Sequence, residues 1–177
     1  MQKYKTTKAM ILAVLTATVA VAQNSKPSPD ATADVNLGGK TIAITYSQPS
    51  MRGRKIMGDL VPYGKVWRTG ANAATTLTTP VGLTIGGTAV PAGKYTLYSL
   101  PGENSWKLII NKQTGQWGTE YEESQDLARV EMKVSQTPSP VEQFSISWNK
   151  KSESQADLTM AWENTRATVP VKVSAGK

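Results

Sequence analysis

The chain has 177 residues and a formal net charge of +7, with neither cysteine nor histidine. This length suits one domain with a proper core and is too short for two comfortable ones. Disulfides, thiolate or imidazole metal sites and His-based nucleophile pairs are excluded, so chemistry is left to Asp, Glu, Lys, Tyr, Ser and Thr. The composition therefore leans away from an enzyme, and we expect no cofactor and no bound metal.

Residues 1–22 predict a secretory signal peptide. Three lysines within 1–8 precede an apolar run at 9–22, which is shorter than the roughly 20 residues that a membrane-spanning helix needs. Ala20-Val21-Ala22 has the small-x-small pattern of a cleavage site, so we expect cleavage before Gln23 and a periplasmic or secreted protein without a membrane span. Removing the three lysines leaves 17 basic against 13 acidic residues, a mild surplus that gives no reason to expect nucleic acid as a partner.

The rest of the chain predicts a flexible tether at 23–34 and a single β-rich domain at 35–174. Apolar residues alternate with polar ones in short runs bounded by Gly, Pro and Asn, which is typical of half-buried strands. The expected strands lie near 35–37, 41–46, 74–79, 81–85, 94–100, 106–110, 128–134, 142–148, 156–162 and 167–173.

Turn residues divide these runs. Gly38-Gly39 and Gly86-Gly87 predict tight hairpins, while Pro138-Ser139-Pro140 and Glu163-Asn164-Thr165 are expected to separate strands. Residues 111–126 are expected to form a surface loop with one helical turn. The pattern predicts an antiparallel β-sandwich of about nine or ten strands, with a closed β-barrel as the alternative.

One long loop, rich in Gly and Pro, carries most of the chemistry. Three of the five arginines lie within 52–68, among lysines and aromatic rings. Guanidinium groups pair with planar oxyanions, and flat rings stack on sugars, so this loop suits a small anionic or carbohydrate-like ligand. The rings that could form such a stacking platform are Tyr63, Trp67, Trp117 and Tyr121. The candidate ligand-binding residues are Arg52, Arg54, Lys55, Tyr63, Lys65, Trp67, Arg68, Asn72 and, from a later loop, Trp117.

Other interpretations stay open at this stage. The cations could instead pair with Asp59 and the acidic run at 120–126, and a loop tryptophan could simply cap the core. Those carboxylates could also serve glycoside hydrolysis or Ca²⁺ binding, although no Asp-x-Asp-x-Asp-Gly spacing exists. A hydrolase using Asp59, Tyr63 or Lys65, a binder of a partner protein and a structural envelope component therefore remain alternatives.

Several longer motifs lie along the domain, namely residues 53–72, residues 91–97, Trp106, Asn111-Lys112, Gln116-Trp117-Gly118 and Trp162-Glu163. Together they resemble the DUF2911 family over about 33–173. The resemblance implies an exported, single-domain, β-rich protein of a kind found largely in Bacteroidota, and it names no reaction. The family usually reads Gly-Ala-Asn-Glu-Ala-Thr where this chain has Ala73 in place of the glutamate. A general base or ligand at that position would therefore be missing here.

Overall fold

The computed structural model describes residues 27–174, and the predicted signal peptide lies outside them. The described residues form nine strands and one short 3₁₀ turn at Glu123–Gln125, where the sequence predicts a helical turn. The strands are β1 (Asp30–Leu37), β2 (Lys40–Ser47), β3 (Thr76–Thr79), β4 (Leu83–Ile85), β5 (Thr88–Val90), β6 (Gly93–Pro101), β7 (Trp106–Asn111), β8 (Asp126–Lys150) and β9 (Gln155–Val173). No helix within 27–174 is long and apolar enough to cross a membrane.

All nine strands are antiparallel neighbours in one sheet, in the order β1-β2-β3-β6-β7-β8-β9-β4-β5. The predicted all-β antiparallel fold is confirmed, whereas the closed-barrel alternative is wrong because the sheet stays open between β5 and β1. Although β1 and β2 are far from β8 in this order, hydrogen bonds join them. The indole Nε1 of Trp148 in β8 donates to the carbonyl of Ala33 in β1 (3.1 Å), and the backbone N–H of Ile146 in β8 donates to the hydroxyl of Tyr46 in β2 (3.0 Å). The sheet therefore folds back over itself around one core.

The core takes one face of nearly every strand. Alternate residues of β2, namely Ile42, Ile44 and Tyr46, are buried as the period-2 pattern predicts. The same alternation continues in β9, from Ala156 to Trp162 and again from Ala167 to Val171. With no cysteine in the chain, burial of these side chains is the main stabilising contribution.

The two longest strands replace four shorter predicted ones. β8 continues through Pro138-Ser139-Pro140 without ending. Its register against β9 shifts between Gln136 and Val141 and again between Val141 and Ser145. These bulges remove the prolines from the ladder, so their missing N–H groups cost no hydrogen bond. β9 likewise passes through the predicted turn at 163–165, because Glu163 takes a positive φ of 53° within the strand.

The first strand begins earlier than the predicted tether boundary. Residues 30–34 pair with 43–47 of β2 instead of continuing the tether, and Ala33 is buried. The sequence pattern does not predict this part of the strand, because its residues are polar or small and only alanines face the core.

The Gly86-Gly87 turn gives a matched test of local sterics. Both glycines have positive φ, 52° and 88°, as a tight hairpin requires. A Cβ at Gly86 would collide with Cγ1 of buried Val130, whereas a Cβ at Gly87 would meet nothing within 4 Å. We expect Gly87→Ala to lower the free energy of unfolding by about 1–2 kcal/mol through backbone strain alone, and Gly86→Ala by about 1–3 kcal/mol more through the added clash. Urea unfolding measures both, and equal losses would contradict this account of the turn.

Candidate functional site

The loop that joins β2 to β3 is attached to the sheet by main-chain hydrogen bonds. The N–H of Trp67 donates to the carbonyl of Ser99 (2.8 Å), and the N–H of Ser99 donates back (3.0 Å). The N–H of Gly64 donates to the carbonyl of Pro101 (2.8 Å). Because β3 pairs with β6 only as far as Thr96, the loop occupies the edge of β6 that β3 leaves free. The middle of the loop is therefore a fixed part of the fold.

Trp67 anchors the loop to an aromatic cluster in the core. Its ring stacks on Trp162 at 5.7 Å with an interplanar angle of 20°. It also meets Phe144 edge-on at 4.9 Å and Trp106 at 6.3 Å. Edge-to-face and offset-stacked rings at these distances stabilise beyond their buried area. Trp67 thus caps the core, the role that the sequence leaves open as an alternative to stacking on a ligand.

Glu163 holds a second point of the loop. Its carboxylate accepts hydrogen bonds from the backbone N–H groups of Ile56 (3.3 Å) and Met57 (2.9 Å). The side chains of Ile56 and Val61 are fully buried beside them. The sequence marks Glu163 as part of a predicted turn and of the Trp162-Glu163 motif, and nothing in its local pattern points to this long-range contact.

Thr69 fixes the backbone next to Arg68. It is fully buried and has φ of 54°, which is rare for a β-branched residue. Its hydroxyl donates to the hydroxyl of Ser99 (3.0 Å), and its carbonyl accepts from the hydroxyl of Thr75 (2.7 Å). Strained backbone of this kind persists only where the surroundings hold it, and it concentrates at functional sites.

A cavity of about 510 Å³ opens between this loop, β6, β9 and the loop after β7. This volume falls within the range typical of small-molecule pockets. Its charged and aromatic wall consists of Arg54, Trp67, Arg68, Tyr98, Tyr121 and Trp162. No carboxylate side chain belongs to its wall within the described residues.

The two cavity arginines differ in their hydrogen bonds. The Nε of Arg54 donates to the carbonyl of Met51 (2.9 Å), and its Nη2 donates to the carbonyl of Ser50 (2.7 Å). The alkyl stem of Arg68 lies against Gly118, where an added Cβ would come within 2.9 Å of the arginine Cδ. Within residues 27–174 the guanidinium of Arg68 has no hydrogen bond and no ion pair, so its donors are available to a ligand.

The acidic run does not neutralise the loop cations in the described part of the chain. Glu123 and Asp126 instead pair with Arg129, at 2.6 Å and 2.9 Å. Asp126 also accepts a hydrogen bond from the hydroxyl of Tyr121 (2.6 Å). Internal salt bridging therefore does not account for the arginines around the cavity.

Three of the nine candidate ligand-binding residues line the cavity, namely Arg54, Trp67 and Arg68. The other six lie outside its wall. The guanidinium of Arg52 donates to the carbonyl of Pro27 (2.8 Å), and the side-chain amide of Asn72 donates to the carbonyl of Ser28. The ring of Tyr63 lies over Gly58, Lys55 and Lys65 are exposed, and Trp117 is 51% exposed. A ligand contact by these six stays a prediction. Asp59, which the hydrolase alternative needs with Tyr63 and Lys65, does not line the cavity either.

Tyr98 and Tyr121 form one wall of the cavity. The sequence names Tyr121 only among the rings that could stack on a ligand, and it does not assign Tyr98 to the site. Their rings pack edge-to-face at 4.8 Å, and the hydroxyl of Tyr98 donates to the carbonyl of Glu120 (2.9 Å). Burial, followed by the hydrogen bond to Asp126, raises the pKa of Tyr121 to about 12. Tyr121 therefore stays neutral at physiological pH and suits a wall better than a general base. Its position depends on folding of the acidic loop over β6, which no local pattern records.

The chain belongs to the DUF2911 family, a family of proteins of unknown function, whose sequence model matches residues 28–171. No curated protein and no solved structure matches the chain.

Substitution of Glu163 tests the loop attachment. Glutamine keeps one acceptor oxygen but brings an NH₂ group toward a backbone N–H, so Glu163→Gln should lower the free energy of unfolding by about 1.5–3 kcal/mol. Glu153→Gln is the control, because among residues 27–174 the side chain of Glu153 forms only an exposed ion pair with Lys150, of a kind that contributes about 0–1 kcal/mol. Urea denaturation compares the two variants. Equal losses would show that the carboxylate does not hold the loop.

Proposed function

We propose that this member of the DUF2911 family is an exported binding protein whose cavity takes a small anionic molecule. The observation that carries the proposal is the guanidinium of Arg68. It lies beside a cavity whose described wall has no carboxylate, and no described residue pairs with it. Export rests on the predicted signal peptide.

The electrostatic argument concerns the partner of Arg68. Partly buried charged groups in proteins are usually paired, because desolvation of an unpaired charge is costly. An oxyanion in the cavity would supply that partner, and a guanidinium can hold a planar oxyanion with two parallel hydrogen bonds. The half-buried position of Arg68 and the carboxylate-free wall both favour such a ligand.

The site is built before a ligand arrives. Trp67 is stacked on Trp162, Thr69 is hydrogen-bonded on both sides, and the carboxylate of Glu163 holds the residues at 56–57. Preorganisation of this kind lowers the entropic cost of binding. A rigid wall around a guanidinium with free donors is an arrangement suited to binding and not only to support of the sheet.

The hydrolase alternative gains less support. Its three side chains, Asp59, Tyr63 and Lys65, all lie outside the cavity wall, and Tyr121 within the wall stays protonated. Binding of a partner protein would draw on the exposed Leu60, Tyr63 and Trp117. These side chains mark a surface of the same loops but carry no charge that would select a partner.

Two charge-matched substitutions test the proposal. Arg68→Gln and Lys65→Gln each remove one positive charge from the same loop, but only Arg68 lines the cavity. Calorimetric titration with small carboxylates, glucuronate and inorganic phosphate should find at least one ligand. Arg68→Gln should weaken its binding at least about tenfold, which corresponds to about 1.4 kcal/mol, while Lys65→Gln leaves it within about twofold.

Thermal unfolding of both variants is the accompanying control, since Arg68→Gln must remain folded for the comparison to count. If it does not, Arg68→Lys, which keeps the charge but loses the fork, takes its place and should weaken binding in the same direction. Absence of binding by every anion, or equal weakening by both neutral variants, would overturn the proposal.

A further inference from the structure

We infer that the ligand is a monocarboxylate with an apolar body, in preference to a sugar acid or a phosphate. This inference rests on the proposed function and narrows it to one chemical class. Three features of the wall carry it: the number of free guanidinium donors, the state of its hydroxyl groups and the exposure of one leucine at its rim.

The donors of the wall match a single planar oxyanion. Arg68 offers a complete fork, whereas the Nε and Nη2 of Arg54 already donate to main-chain carbonyls. A carboxylate accepts two parallel hydrogen bonds from one such fork and needs no further donor. A phosphate carries up to two charges and three free oxygens. It therefore requires more donors than the guanidinium of Arg68 and the one remaining guanidinium nitrogen of Arg54 provide.

The hydroxyl groups of the wall are largely committed to the protein. The Tyr98 hydroxyl donates to the carbonyl of Glu120. The Tyr121 hydroxyl donates to Asp126 and accepts from Arg129 (2.8 Å). Of the hydroxyl groups in the wall, only those of Ser28 and Thr119 have no hydrogen bond to a described residue. A sugar acid would bury several hydroxyls without partners, and each unpaired polar group costs about 1–3 kcal/mol.

The remaining side chains of the wall favour an apolar body. They are Pro49, Leu60, Val61, Pro62, Val66, Ala71 and the rings of Trp67 and Trp162. Leu60 is 45% exposed although it lies on the cavity. An alkyl or aromatic group in the cavity would remove part of this leucine from water, at about 25 cal/mol for each Å² of apolar surface covered.

Five probes test the class by calorimetry with the exported protein: phenylacetate, octanoate, phenylacetamide, glucuronate and inorganic phosphate. Phenylacetate or octanoate should bind, and phenylacetamide, which has the same shape without the charge, should bind at least tenfold more weakly than phenylacetate. Glucuronate and phosphate should also bind at least tenfold more weakly than the better apolar acid. Comparison of octanoate with phenylacetate separates a chain-like from a ring-bearing body.

A rim variant adds a second readout. Leu60→Asn should weaken binding of the better apolar acid about threefold or more, with unchanged thermal unfolding because the side chain is already half exposed. If glucuronate or phosphate binds more tightly than the better apolar acid, and Arg68→Gln abolishes that binding, the apolar-acid class is overturned and the proposed function stands. Equal binding of phenylacetate and phenylacetamide would overturn the role of charge. Failure of all five probes to bind would overturn both proposals.

Discussion

The stack of Trp67 on Trp162 is the interaction on which the rest of the site depends. It joins a 28-residue connection with several turn-forming glycines and prolines to the centre of the core, where Phe144 and Trp106 complete the cluster. Without this anchor the connection would keep its main-chain hydrogen bonds to β6 and its contacts with Glu163, but it would lose its attachment to the aromatic cluster of the core. The cavity lies between this loop, β6, β9 and the loop after β7, so its shape depends on where the loop is attached.

A single irregular residue in β9, Glu163, allows two neighbouring side chains of this strand to contact the loop that joins β2 to β3. In a regular strand, consecutive side chains point to opposite faces, so Trp162 and Glu163 would act on opposite sides of the sheet. The positive φ of Glu163 breaks this alternation. The indole of Trp162 meets Trp67 while the adjacent carboxylate accepts the backbone N–H groups of Ile56 and Met57. Two neighbouring residues thus fix two separate points of one loop, in a chain that has no disulfide to do so.

Period-2 alternation predicted most of the strands and the inward faces of residues such as Ile44 and Phe144, because half-buried strands record burial in their local pattern. It failed at Pro138-Ser139-Pro140 and at Glu163, where bulges and one left-handed residue carry strands through sequences that usually end them. Arg54, Trp67 and Arg68 could be predicted from the concentration of charge and rings in one loop. Tyr121 could be named as a candidate stacking ring, but its contact with Tyr98 could not be predicted, since the two meet only when distant segments fold together and no local signal records such contacts.

Native-state hydrogen exchange at the amide of Trp67 tests the central claim most directly. This N–H donates to the carbonyl of Ser99, so its exchange reports how often the loop leaves the sheet. If the loop is a fixed part of the fold, the amide should exchange only with global unfolding, at the same free energy as the slowest amides of β6 and β7. Exchange at a much lower free energy would mean that the loop opens independently and that the cavity is not preformed.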